Sequence, residues 1–316
     1  MSDHRDQPTG THPLLILAMD HRESFGRTLF DVRDDAPTPT QLTAMQQAKL
    51  LIYQALSAAR ATLPAGQAGV LVDERYGQAV IDAAHRDQVV LAVPVERSGR
   101  DEFELEYGPD WVTHLQRSRP DYAKVLVRDN PDLPDAHRRV QLQRLNVVSA
   151  GLRAAGVPLI YELLVPPTDR QREAVSGDLE AFDRDLRPDL VNRVIADNYD
   201  AGIEPALWKV EGLETADAAR EVVRAARAGG REQVGVIVLG RDAPPERLAR
   251  WLQVAAPVAG FVGFAIGRSI WEDAIAAHQR GTITDAETIE AISGEYLRYS
   301  YLYCNAAPLL PDRRSR

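Results

Sequence analysis

Residues 206–240, ALWKVEGLETADAAREVVRAARAGGREQVGVIVLG, hold two short apolar runs with a helical pattern between them. The runs at 206–210 and 234–239 have the length and Val/Leu content of strands. In ADAAREVVRAAR the apolar residues recur at helical spacing, and the stretch closes on Gly229–Gly230, as helix C-termini tend to. This is one βαβ unit. Working outward, six more runs of the same kind lie at 14–19, 69–72, 89–95, 122–127, 158–165 and 261–266, which makes eight. Eight parallel strands, each followed by a helix, close into a (β/α)8 barrel, the TIM-barrel form of the α/β class. A doubly wound open sheet alternates in the same way, but the count of eight and the absence of a Gly-rich dinucleotide turn after the first strand disfavour it. The connection 20–68 is long enough for one extra short helix plus the helical stretch TAMQQAKLLIYQALSAAR. After the last strand SIWEDAIAAHQRG reads as the closing helix, and TDAETIEAISGEYLRYSYLY as an added one. The expected organisation is a single domain over 13–306 with loose tails at 1–12 and 307–316.

Hydrophobic residues make up 45% and charged residues 26% of the 316, ordinary for a globular protein, and no apolar run approaches membrane length. The opening MSDHRDQPTGTH lacks the apolar stretch of an export signal, so a cytoplasmic location is expected. A net charge of −9 argues against a nucleic-acid partner, which needs a basic face. The single cysteine, Cys304, excludes an internal disulfide and sits in the aromatic run YSYLYC, where packing is its expected role. Of 37 basic residues only Lys49, Lys124 and Lys209 are lysines. Arginine can replace a surface lysine at little cost, but not one whose amine must lose its proton. Lys49 falls in an amphipathic stretch and reads as a solvated helix residue; Lys124 and Lys209 lie inside the apolar runs YAKVLV and LWKVEG.

Catalytic groups of such barrels lie toward the C-terminal ends of the strands. The polar residues there are Asp20, Asp73 with Glu74, Glu96, Lys124, Glu162, Lys209 with Glu211, Arg241 and Arg268. Neighbouring strands four, five and six supply Lys124, Glu162 and Lys209, a cation–carboxylate–cation set that is costly to bury unless function retains it. An amine attacks a ketone only when unprotonated, and a second ammonium and an apolar wall both favour that state. Lys209 is therefore a candidate Schiff-base lysine, with Lys124 as the neighbouring cation and Glu162 as the proton shuttle. At strand eight Gly267–Arg268–Ser269 leads into a helix start, which with the guanidinium makes an anion site; Gly240–Arg241 after strand seven is its partner turn. Asp73 is counted with the substrate-binding groups. Of the seven histidines only His21 falls at a strand end, so no histidine metal cage can be assembled, and neither metal nor organic cofactor is expected.

The chain also resembles the class I aldolases that include tagatose-1,6-bisphosphate aldolase and, more closely, the aldolase part of bacterial inositol-catabolism kinase/aldolase fusions. LLILAMDHRESF, LLVDERYG, PVERSGRDEFELEYG, YAKVLVRDNP, IYELLVPP, LWKVEG, VIVLGRD and GFAIGRSIW carry the resemblance, in order and spacing. It implies that Lys209 forms the Schiff base, that Glu162, Lys124 and Asp20 belong to the active site, and that Gly240, Gly267 and Arg268 hold a phosphate. Strand one reads Asp-His-Arg where the tagatose enzymes look like Asp-Gln-Arg, so the far end of the substrate is expected to differ. Arg22 and His21 are expected to form a second cationic site there, suited to a substrate charged at both ends. The first candidate is 2-deoxy-5-keto-gluconate 6-phosphate, cleaved to dihydroxyacetone phosphate and malonate semialdehyde. A 6-deoxy-6-sulfofructose 1-phosphate comes next and tagatose 1,6-bisphosphate third. A phosphosugar epimerase and a non-catalytic sugar-phosphate sensor are the readings from other classes. The expected partner is the small-molecule keto-sugar phosphate, and a homo-oligomer is the expected assembly.

Overall fold

The computed structural model describes residues 7–33 and 36–307; residues 1–6 and 308–316, the outer parts of the expected tails, lie outside the described residues. Along β1 (Leu14–Ala18) successive side chains go to opposite faces. Leu15 and Leu17 pack outward into the layer shared with the helices, while Leu14, Ile16 and Ala18 point into a second, inner core. The same alternation runs through β2 (Ala68–Leu71), β3 (Val90–Pro94), β4 (Tyr122–Arg128), β5 (Leu159–Leu164), β6 (Leu207–Glu211) and β7 (Gly235–Leu239), while in β8 (Phe261–Ile266) it is interrupted at Gly263, so that Val262 and Ala265 both face inward. Neighbours pair in parallel in sequence order, and β8 pairs with β1, so the sheet closes on itself as a (β/α)8 barrel. Closure leaves no sheet edge, and the inner core is filled by side chains.

Strands β4 and β6 run one residue further than the apolar runs suggest, which brings Arg128 and Glu211 onto the ladder. Helices Glu23–Phe30 and Pro39–Arg60 fill the long first connection. Between β5 and β6 the chain takes a more broken path, with helices Asp169–Ala174 and Leu179–Ala181, a π-turn at Phe182–Leu186 and the helix Arg187–Asp200. The helix Asp285–Ala306 starts on a capping box, Thr284 with Glu287, and seals the first strand: the Tyr296 hydroxyl donates to the Leu15 carbonyl at 2.7 Å. Cys304 packs half-buried on that helix. Among the described residues no helix is long and apolar enough to cross a membrane.

Lys49 departs from its expected role. It is fully buried, ion-paired with Asp73, and donates to the Met19 and His21 carbonyls at 2.7 and 3.1 Å. The helical pattern around it is that of a helix packed on both sides, so the polar residue faces a carboxylate and not water. Its partner Asp73 accepts from Tyr76 N–H at the start of the next helix and does not line the cavity at the barrel mouth. Asp73 is a capping and pairing residue, which corrects its expected place among the substrate-binding groups.

Candidate active site

Inward positions on adjacent strands carry the charges. In the β5–β6 register Glu162 stands opposite Lys209, and in the β4–β5 register Lys124 stands opposite Ile160, one inward position before Glu162. The long lysine side chain spans that step. Lys209 Nζ lies 2.8 Å from Glu162 Oε1, and Lys124 Nζ lies 2.8 Å from Glu162 Oε2. Lys124 also reaches Asp20 Oδ2 at 2.8 Å and Glu96 Oε1 at 2.9 Å. Sequence reasoning brings Glu96 only as far as a strand-end candidate; here it is a full member of the cluster.

These groups are buried, and burial by itself opposes every charge. For Lys124 the three carboxylates outweigh it and raise the pKa, so this side chain stays an ammonium. For Asp20 and Glu162 burial is likewise outweighed, chiefly by Lys124, and both carboxyls are held below their ordinary range. Glu96 goes the other way: burial dominates Lys124 and Arg22 and raises its pKa. Its Oε2 is buried without a hydrogen-bond partner among the described residues.

The cluster forms the floor of a cavity of about 470 Å³ at the C-terminal mouth of the barrel. Asp20, His21, Arg22, Glu162, Lys124, Lys209, Gly240, Gly267 and Arg268 all line it, so nine of the ten residues expected at the site converge there. On one side β8 ends at Gly267, where a Cβ would come within 2.6 Å of the Ala18 carbonyl oxygen and 2.9 Å of His21. Only glycine permits that approach of β8 to the end of β1. The helix Arg268–Gln279 begins at once, and its first N–H groups have no acceptor within the helix. Arg268 pairs with Asp242 and keeps a buried Nε without a partner among the described residues. Arg241 is not available as a second cation of the anion turn. Its guanidinium is held by Glu211 and Asp183, both at 2.6 Å, with Asp183 supplied by the π-turn.

The expected second cationic site at the end of β1 is also corrected. Arg22 is buried between Glu96 and Glu106, 3.2 Å from each, and its charge is spent there. His21 packs edge-on against Trp271 at 5.6 Å between ring centroids. Burial lowers its pKa to about 4, with Asp20 pulling the other way, so the imidazole is neutral near pH 7.

A family model described as "Uncharacterized protein conserved in bacteria (DUF2090)" matches residues 3–306. No curated protein matches the chain. Among solved structures, fructose-bisphosphate aldolase from Plasmodium falciparum, crystallised with TRAP and an inhibitor, is similar over 95% of this chain and 94% of that one, with a TM-score of 0.65 and 12% identity. The protein Cgl0159 of Corynebacterium glutamicum covers 93% of this chain and 88% of its own, with a TM-score of 0.57 and 19% identity. Fructose-bisphosphate aldolase from Slackia heliotrinireducens covers 91% and 86%, with a TM-score of 0.52 and 12% identity. At these identities the likeness is one of fold.

Proposed function

The chain belongs to the DUF2090 family, and from that premise we propose that it is a class I aldolase, which cleaves a keto-sugar phosphate to dihydroxyacetone phosphate and a small aldehyde through a Schiff base on Lys209. The observation that carries the reading is the unbroken Lys209–Glu162–Lys124 contact, 2.8 Å at each step, on the floor of the cavity at the C-terminal mouth of the barrel. That two of the similar folds are fructose-bisphosphate aldolases agrees with it.

In this reading Glu162, ionised between two lysines, accepts the proton of the Lys209 ammonium. The free amine adds to the ketone, and Glu162 returns the proton to the carbinolamine hydroxyl, which leaves as water. A carboxylate then removes the proton from the hydroxyl β to the iminium carbon. The carbon–carbon bond breaks, the aldehyde departs, and the electron pair moves into the iminium to give an enamine. Protonation at carbon and addition of water release dihydroxyacetone phosphate and restore the lysine. Lys124, fixed as a cation, and Asp20 keep Glu162 aimed at Lys209. The helix start at Arg268, with Gly240 and Gly267, holds the phosphate. The organic iminium is the electron sink, so the step draws on neither metal nor organic cofactor. Residues 13–306 make up the catalytic unit, and 2-deoxy-5-keto-gluconate 6-phosphate, giving malonate semialdehyde, is the substrate we put first.

Borohydride reduction in the presence of dihydroxyacetone phosphate, followed by peptide mass mapping, tests the assignment. The triose is expected on Lys209. Label on Lys124 alone, or none, overturns it; an epimerase or a sensor has no need of this amine.

A further inference from the structure

The chain carries a net charge of −9, yet the cavity above Lys209 is lined by nine lysines and arginines against seven carboxylates. Most of the cations are spoken for by the pairs described above. Arg128 is different. It is the last residue of β4 and shares the inward face with Lys124 and Leu126, so the strand itself aims it at the cavity. Its Nη1 donates to the Arg100 carbonyl at 3.0 Å, and among the described residues it has no ion pair. The Arg100 contact ties it to the hairpin after β3, which is closed by the Glu96–Leu105 bridge and the Arg97 N–H bond to the Glu104 carbonyl. Arg97 and Arg100 line the same cavity, and their carboxylate contact is Glu104 at 3.7 and 3.8 Å, with half of each side chain exposed.

The position matters as much as the charge. In the eight-strand ring β4 lies diametrically opposite β8, with β6 midway between them. A ligand with its phosphate at the β8 turn and its reacting carbon at Lys209 therefore directs its far end toward β4. We propose that Arg128, with Arg97 and Arg100 of the hairpin, forms a second anion subsite that takes a singly charged carboxylate or sulfonate at the end of the substrate remote from the phosphate. This takes over the role that the sequence assigns to Arg22 and His21. It rests on the aldolase reading for the orientation of the substrate, whereas the subsite itself rests on the three arginines.

The test runs the reaction toward condensation, with dihydroxyacetone phosphate as donor and malonate semialdehyde or propanal as acceptor. Losing charge-assisted hydrogen bonds at Arg128→Gln is expected to lower kcat/KM for malonate semialdehyde about 10- to 100-fold more than for propanal. Sulfoacetaldehyde in place of malonate semialdehyde tells a sulfonate preference from a carboxylate one. Equal losses with the charged and neutral acceptors would mean that Arg128 only anchors the hairpin, and the proposal fails. Calorimetric titration with 3-hydroxypropionate separates this from the reaction class. If no triose is trapped on Lys209 but 3-hydroxypropionate binds and Arg128→Gln abolishes binding, the aldolase reading falls and the subsite stands. Binding unchanged in Arg128→Gln and in the Arg97→Gln/Arg100→Gln double variant overturns the subsite.

Discussion

Glu162 stands between two ammonium groups, and a single-atom exchange separates its charge from its shape. Glu162→Gln keeps the side-chain volume but can no longer take up and return a proton. We expect kcat to fall about 10²- to 10⁴-fold while KM changes little, because a proton-transfer group acts in the transition state and not in ground-state binding. Steady-state kinetics on the purified variant checks this; an unchanged kcat would reduce Glu162 to a structural ion-pair partner. The three residues of this set were legible because buried charge in a strand is costly and because lysine is so rare in this chain. Lys49 was not legible in the same way. Its helical surroundings are compatible with water or with a buried partner, and Asp73, 24 residues on, becomes that partner only when the first two βα units pack together. Arg22 and His21 fail for the same reason: a charge read from sequence is only a potential charge until its neighbours are known. Glu96 and Glu106 neutralise the one, and burial neutralises the other.

At the level of elements, the β8-to-helix turn is the most exacting joint. Gly267→Ala places a methyl group against the Ala18 carbonyl and the His21 ring. Overpacking of this kind costs about 1–3 kcal/mol, and relief by backbone movement would shift the helix start proposed to hold the phosphate. A lower unfolding midpoint in denaturant, together with a raised KM for dihydroxyacetone phosphate in the condensation reaction, is the expected result. An unaltered KM would separate the turn from phosphate binding. The eight strands were readable as short apolar runs, the last added helix as an amphipathic stretch, and the extra short helix before Pro39 from the length of the first connection. The π-turn at Phe182–Leu186 was not. Its sequence FDRDL is polar, and it takes this form where Asp183 receives Arg187, Arg241 and Arg247 from three different places in the chain. The pairing settles Arg241 as a structural residue.

For the molecule as a whole, the buried charges make stability depend on pH with a definite sign. Asp20 and Glu162 have depressed pKa values, so their contribution is present above the ordinary carboxylate range and is lost as pH falls through the lowered values. His21 is neutral in the folded protein down to about pH 4. Its unfolded counterpart binds a proton below about 6.5, so stability also falls between these limits on acidification. For His21 the difference between about 4 and 6.5 amounts to about 3 kcal/mol at most. Glu96, with a raised pKa, opposes the trend above the ordinary carboxylate pKa. Unfolding midpoints measured from pH 7 to pH 3 should therefore decline first gently and then steeply, and His21→Gln should flatten the part between about 6.5 and 4. The same slope in the variant would contradict the neutral, buried imidazole. The sequence by itself determined the barrel, because strand number, helical period and the order of the runs are local properties that add up to one closure. It also determined which lysines deserved attention, because burial in an apolar run is itself a local property. Only the tertiary structure decided which charges remain free to meet a ligand. Each cation's availability depends on carboxylates brought near it by ring closure, and that closure withdrew Arg22, Arg241 and Lys49 while it left Arg128 facing the cavity.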